Sequence, residues 1–245
     1  IFRGKALSGA ITDTDPTIVG LKPLEPRPKD ELDAKTKKRA EKTAQIVKQF
    51  VRNAKKILSA HHPANFVLMR GFDEYHPLPS FLELYKLRAC AIATYPMYRG
   101  LARILGMKVV ECGQKISEEI EALEKNWKDF DFFYVHIKKT DSTGEDGNFN
   151  AKSKVIEEVD SQLPKILSLK PDVLVITGDH STPAVLKSHS WHPLPALLYS
   201  KYARAGNVKK FSEVECANGA LGRLPSICLL PLALANALRL KRYGA

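Results

Sequence analysis

Four short apolar runs alternate with segments of helical periodicity: ACAIAT at 89–94, KVVE at 108–111, DFFYVHI at 131–137 and DVLVIT at 172–177. A strand with one wet face alternates apolar and polar residues, and these runs largely do not. Strands of this kind are covered on both faces. The chain is therefore expected to be α/β, a mostly parallel sheet flanked by helices. NFVLM at 65–69 and residues 194–199 are read as further strands. A long helix is expected over 30–60, with Ile46, Val47, Phe50, Val51, Ala54, Ile57 and Leu58 on one face. Pro96 opens a second helix that Gly106 closes. Ser117 is expected to cap a third toward Trp127, a fourth spans 151–169 with a bend at Pro164, and a last one runs from 227 to 240. Residues 1–28, with four prolines, read as loop and extended connector.

The 245 residues can bury one large core or two small ones. A net charge of +11 favours an anionic partner. Lys and Arg are scattered rather than gathered in an aromatic-interleaved patch, so nucleic acid is not expected. Nor is a membrane, since no apolar stretch reaches the length of a span. Cys90, Cys112, Cys216 and Cys228 stand far apart without a CxxC pair, as in a reducing, cytoplasmic protein. Ile1 is not an initiator Met, and the chain is expected to begin inside a longer polypeptide.

The chemistry lies just beyond two of the predicted strands. Thr140-Asp-Ser-Thr-Gly-Glu-Asp-Gly147 follows the run at 131–137, and Gly178-Asp-His-Ser-Thr-Pro183 follows the run at 172–177, with His189-Ser-Trp-His-Pro193 close behind. Ligands gather at the carboxyl ends of strands in such sheets. Asp141, Glu145, Asp146, Asp179, His180, His189 and His192 make a balanced carboxylate and imidazole set, suited to zinc or manganese rather than calcium. Gly144 and Gly147 are expected to fold a tight loop that turns Asp141 and Glu145 toward one point. Arg70, Arg99, Arg103 and Arg223 are candidates for anion recognition, Arg70 and Arg99 foremost. Ser142, Thr143, Ser181 and Thr182 are hydroxyls nearby, none with a clear base, and Ser181 reads as a helix cap.

The segments TDSTGEDGN, Val159-Asp160, VLVITGDHSTP and HSWHPLP resemble the C-terminal part of the archaeal-type, cofactor-independent (2,3-bisphosphoglycerate-independent) phosphoglycerate mutases of the alkaline phosphatase superfamily. FRGKALSGAITDTDP and VLMRG…LPSF…YRGLARILGM resemble that family's inserted middle domain. The resemblance implies an alkaline-phosphatase-like sheet with a smaller inserted α/β domain, residues 1–110 being mainly the inserted domain and 111–245 the C-terminal half of the metal-binding one. It implies interconversion of 3- and 2-phosphoglycerate through a phosphoserine, two divalent ions (manganese, zinc or magnesium) and no organic cofactor. By motif position Asp141, Glu145 and His189 resemble one ion's ligands, and Asp179 and His180 part of the other's. The residue four after Asp141 is commonly His in that family and is Glu145 here, which hardens the site toward manganese or magnesium. The family's N-terminal portion, bearing a metal-binding Asp and the nucleophilic Ser, has no counterpart in these residues. A separate N-terminal fragment or a homo-oligomer is the expected partner. Another phosphate or sulfate ester hydrolase, or a non-catalytic metal-binding subunit, remains an alternative.

Overall fold

The computed structural model describes residues 1–204 and 206–240, arranged as two compact units, Ile1–Pro77 and Leu78–Ala245. The division falls earlier than the expected boundary near residue 110. Its cause is the strand pairing, because residues 89–93 and 108–110 share a sheet with residues 132–136.

The first unit is built on helix α1 (Ala34–Leu58). Asp33 caps it, its Oδ1 accepting from the backbone N–H of Lys35 and Thr36 at 3.0 Å. Ala40, Ala44 and Val47, on one stripe, are buried against Ile11, with Phe2, Leu32, Val51, Met69 and Phe72 around them. The expected face is displaced toward the N-terminal half: Ile46, Phe50 and Ile57 are exposed, because the small alanines are what let the coil around Ile11 approach. The strand expected at 65–69 does not form. Among the described residues its segment bonds to the coil only at Thr14, whose N–H donates to Met69 O (2.8 Å) and whose Oγ1 accepts from Met69 N–H (2.7 Å). One such pair is not a ladder.

The second unit runs α2 (Phe81–Tyr85), β1 (Ala89–Ala93), α3 (Pro96–Ile104), β2 (Lys108–Val110), α4 (Ile116–Asn126), β3 (Phe132–His136), α5 (Lys139–Glu145), α6 (Phe149–Ser168), β4 (Val173–Ile176), β5 (Leu197–Ser200), α7 (Glu213–Cys216) and α8 (Leu229–Asn236). The first three strands form a parallel sheet in the order β2-β1-β3, with Ile92 opposite Val110 on one side and Val135 on the other. β1 is buried along its whole length. Its alternate residues explain why: Ala89 and Ala91 pack with Phe81, Ala102, Met107 and Leu234, whereas Cys90 and Ile92 pack with Ala122, Leu123, Phe133 and Ile166. Helices α2, α3 and α8 thus cover one face, and α4 and α6 the other. A fully buried Ile such as Ile92 contributes roughly 1.5–3 kcal/mol.

Several expectations need correction. β4 and β5 pair antiparallel as a separate two-stranded sheet, and β5 begins at Leu197, three residues later than expected, because Pro193 and Pro195 lack the N–H a strand needs. Helix α4 starts at Ile116, so Ser117 lies inside it. Glu118 closes its N-terminus instead, accepting from Lys115 N–H at 2.9 Å. The final helix is shorter than expected, a single 3-10 turn at Ser226–Cys228 followed by α8. Pro164 is accommodated inside α6. Among the described residues no helix is long and apolar enough to cross a membrane.

Glu119 on α4 is buried beside this core, and burial pushes its carboxyl pKa up to about 7, only partly offset by the Lys139 ammonium. A carboxyl whose folded pKa lies above its unfolded one loses stability as pH rises from about 4.5 through 7. Glu119→Gln is expected to leave stability unchanged at pH 4 and to raise it at pH 8 by up to about 3 kcal/mol. Urea denaturation at the two pH values measures this. An equal effect at both would refute the assignment.

Candidate metal centre

Asp141 leaves the sheet at the carboxyl end of β3, and Asp179 and His180 leave at the carboxyl end of β4. The segment at 140–147 is not the loop expected. It is helix α5, which places Asp141 and Glu145 one turn apart on one face. The role of Gly144 differs accordingly. A Cβ there would lie 2.3 Å from the carbonyl oxygen of Thr182, so glycine is what lets α5 touch the segment after β4. Gly147 does supply a turn, at φ +71°.

That contact assembles the site. The Thr182 hydroxyl donates to Asp141 Oδ1 at 2.6 Å and lies 3.0 Å from His180 Nδ1. Lys152 on α6 ties the two segments from below, its ammonium donating to Thr140 O (2.8 Å) and Thr182 O (3.0 Å). An isolated bridge joins Ser181 to Ser190, Ser190 N–H donating to Ser181 O at 2.9 Å, and this carries His189 back to the cluster. Ser181 is therefore a bridge residue rather than a helix cap.

Asp141, His180 and His189 each offer a donor atom within 4.8 Å of the others. His189 Nε2 is 3.5 Å from Asp141 Oδ1 and 3.6 Å from Glu145 Oε1. His180 Nδ1 is 3.7 Å from Asp141 Oδ1, and its Nε2 is 3.6 Å from Asp179 Oδ2. His180 thus stands between the two carboxylates, where the motif reading grouped it with Asp179 alone. The two imidazoles lie against one another, tilted by 33° with 3.9 Å between centroids. His192 is outside the cluster, bonded to Ser190 Oγ at 2.8 Å and stacked on Trp191. Asp146 is exposed at the end of α5.

Electrostatics keep the carboxylates charged. Burial pushes the Asp141 pKa up, but hydrogen bonds from Lys138 and Thr182 outweigh it and hold the carboxyl below its ordinary value. Asp179 is likewise pushed up by burial and then drawn lower overall by the Tyr98 hydroxyl, which donates to its Oδ2, and by the His180 side chain and N–H. Sequence reasoning missed three residues that hold these groups, Tyr98, Lys138 and Lys152, and named Thr182 only as a nearby hydroxyl. Lys138, three residues before Asp141, was the one spacing could have found. It also missed His136, which ends β3 stacked on Tyr98 (3.7 Å), its Nδ1 buried without a partner and its pKa lowered by burial. A lone His closing a strand gives no signal in sequence.

The arginines are already engaged. Arg99 donates to Ala93 O at 3.2 Å and pairs with Glu111, and Arg70, in the first unit, lies 3.5 Å from Asp15. Arg103 and Arg223 are exposed.

One carboxylate and two imidazoles converging from two strand ends, with further carboxylates 3.6 Å away, fit a divalent ion of the zinc and manganese class. Residues 29–236 match the Metalloenzyme superfamily. The chain belongs to that family. Curated relatives include proteins named as probable 2,3-bisphosphoglycerate-independent phosphoglycerate mutases. That of Thermotoga neapolitana is 52% identical over all of this chain and 59% of its own length, and that of Aquifex aeolicus is 50% identical over 97% of this chain and 57% of its own. The chain therefore spans a little under three-fifths of these relatives of the family. Among solved structures, a protein from Pyrococcus horikoshii superposes with a TM-score of 0.76 at 28% identity, over 84% of this chain and 60% of its own. The cofactor-independent phosphoglycerate mutase from Thermoplasma acidophilum superposes at 0.60 and 26% identity, over 96% of this chain and 60% of its own.

Proposed function

We propose that these residues form the larger part of a cofactor-independent phosphoglycerate mutase, which interconverts 3- and 2-phosphoglycerate in the cytoplasm as a step of glycolysis and gluconeogenesis. The observation that carries this reading is the convergence of Asp141, His180 and His189 in a chain half identical to proteins of that name. In this reading Asp141, His180 and His189, with Glu145 alongside, hold one divalent ion, and Asp179 contributes to a second. Manganese, zinc or magnesium would serve. Bound ions of this class neutralise phosphate charge and the attacking and leaving oxygens of the transfer.

The remaining work falls to the chain itself. Thr182 and Lys138 hold the Asp141 carboxylate in one orientation and keep it charged, and Tyr98 does the same for Asp179. Arg70 and Arg99 are assigned to the substrate's anionic groups, Arg99 exchanging Glu111 for substrate. The unit Ile1–Pro77 is assigned to the inserted substrate domain and Leu78–Ala245 to the metal-binding domain. The nucleophilic Ser is assigned to the part of the relatives that these residues do not span, supplied by the same polypeptide or by a separate one.

The test is product analysis. The complete polypeptide, loaded with manganese, is expected to convert 3-phosphoglycerate to 2-phosphoglycerate with little free phosphate, and to lose the activity on chelation. Phosphate release as the main outcome would replace the mutase reading with that of an ester hydrolase.

A further inference from the structure

The carboxylates that follow the two strand ends are held unequally. Asp141 is buried and accepts from Lys138 and Thr182, whereas Asp179 is exposed. Asp179 Oδ1 accepts from the N–H of its own neighbour His180 at 3.0 Å, a bond within the segment after β4. Among the described residues only the Tyr98 hydroxyl reaches Asp179 by a hydrogen bond from another element, donating to Oδ2. Tyr98 stands in the first turn of α3, and burial pushes its pKa up, so it keeps the proton it donates.

The phenol oxygen lies at the far end of a rigid ring. A sideways swing of that ring about χ1 carries the oxygen off the carboxylate. His136, the last residue of β3, lies on the face of the ring, with 3.7 Å between centroids and 28° between planes. Tyr95 and Tyr134 stand farther off, at 6.1 and 6.5 Å. Among the described residues His136 is not one of those whose donor atoms converge, which are Asp141, His180 and His189. Its Nδ1 is buried without a partner. What His136 offers the site is the flat face of its ring.

We propose that His136 is a positioning residue: stacked on Tyr98, it fixes the phenol, and the phenol fixes the Asp179 carboxylate for the second ion. The proposal rests on the assignment of Asp179 to that ion made above. Asp141 is held by other residues, Lys138 and Thr182, so the two ions have separate supports. Loss of the ring at His136 therefore weakens the ion at Asp179 and spares the ion at Asp141.

The experiment is a calorimetric titration of the complete polypeptide with manganese, the ion at Asp179 being the one that Asp179→Asn weakens. Tyr98→Phe is expected to weaken that ion by roughly 10–100-fold, the loss that follows removal of an outer-shell partner. His136→Ala is expected to weaken it by no more than Tyr98→Phe does. The double variant is expected to match Tyr98→Phe, since a residue acting through the hydroxyl has nothing to act on once it is gone. His136→Phe keeps a flat ring and is expected to bind close to the parent. Should His136→Ala fail to fold, His136→Leu, which has bulk but no flat ring, takes its place. The proposal is overturned if the two single losses add in the double variant, if His136→Phe loses as much as His136→Ala, or if the ion at Asp141 weakens equally. Weakened binding in Asp179→Asn beside parent-like binding in His136→Ala overturns the proposal alone. Parent-like binding in Asp179→Asn overturns the assignment of Asp179 and the proposal with it. The mutase reading is judged separately, by product analysis.

Discussion

Asp141→Asn is expected to reduce divalent-metal affinity by more than the roughly 10–100-fold that follows loss of an outer-shell partner, because Asp141 is common to every short donor contact of the cluster except His189–Glu145 and His180–Asp179. The substitution keeps the shape and removes the charge. It also leaves the Lys138 ammonium facing a neutral amide in place of the carboxylate that now neutralises it. The cost therefore falls on stability as well as on metal binding. Equilibrium dialysis with elemental analysis measures the first effect and urea denaturation the second. Asp146→Asn, exposed one residue beyond α5, is the control and is expected to bind as the parent does. Equal metal content in Asp141→Asn and the parent would reject the cluster as a metal centre.

Gly144→Ala is expected to be nearly as damaging, although helix propensity argues the other way. Alanine in place of glycine within a helix is favourable by about 1 kcal/mol. Here the added methyl would meet a carbonyl oxygen at 2.3 Å, and a carbonyl, unlike a flexible side chain, cannot turn aside. The helix and the segment after β4 must separate. Overpacking of this kind costs roughly 1–3 kcal/mol. Separation also stretches the Thr182–Asp141 bond and the two Lys152 bonds. Metal affinity is accordingly expected to fall along with the melting midpoint, the midpoint by several degrees. Thermal denaturation and metal titration of the one variant check both. A variant with unchanged melting and unchanged affinity would show that the contact does not hold the site together.

The strands of the parallel sheet were legible in sequence because their cause is local: ACAIAT is apolar at nearly every position, and the structure buries every residue of β1. The long helix was legible too, but its buried face was not. Ile and Phe outweigh Ala in any hydrophobic pattern, yet a face that must let a coil approach closely is built from Ala40 and Ala44. The segment 65–69 misled for a different reason, since Met69 packs into the core without a strand partner while Leu68 is exposed. At the site, Asp141, His180 and His189 could be read as neighbours because they follow strand ends. The groups that aim them could not. Tyr98 reaches Asp179 across 81 positions, and Thr182 reaches Asp141 across 41. Their positions depend on tertiary packing, of which a single sequence carries no direct trace.

One turn of α5 separates a buried Asp141 from an exposed Glu145. Substitution at the two positions therefore has different structural consequences. Any change at Asp141 disturbs Thr182, Lys138 and the packing around them, whereas a change at Glu145 falls on His189 and, through charge alone, on Lys138. A carboxylate and an imidazole can trade places there without repacking the interior. Preference among metals can drift at that one exposed position while the fold stays constant, so proteins of one architecture can come to depend on different ions.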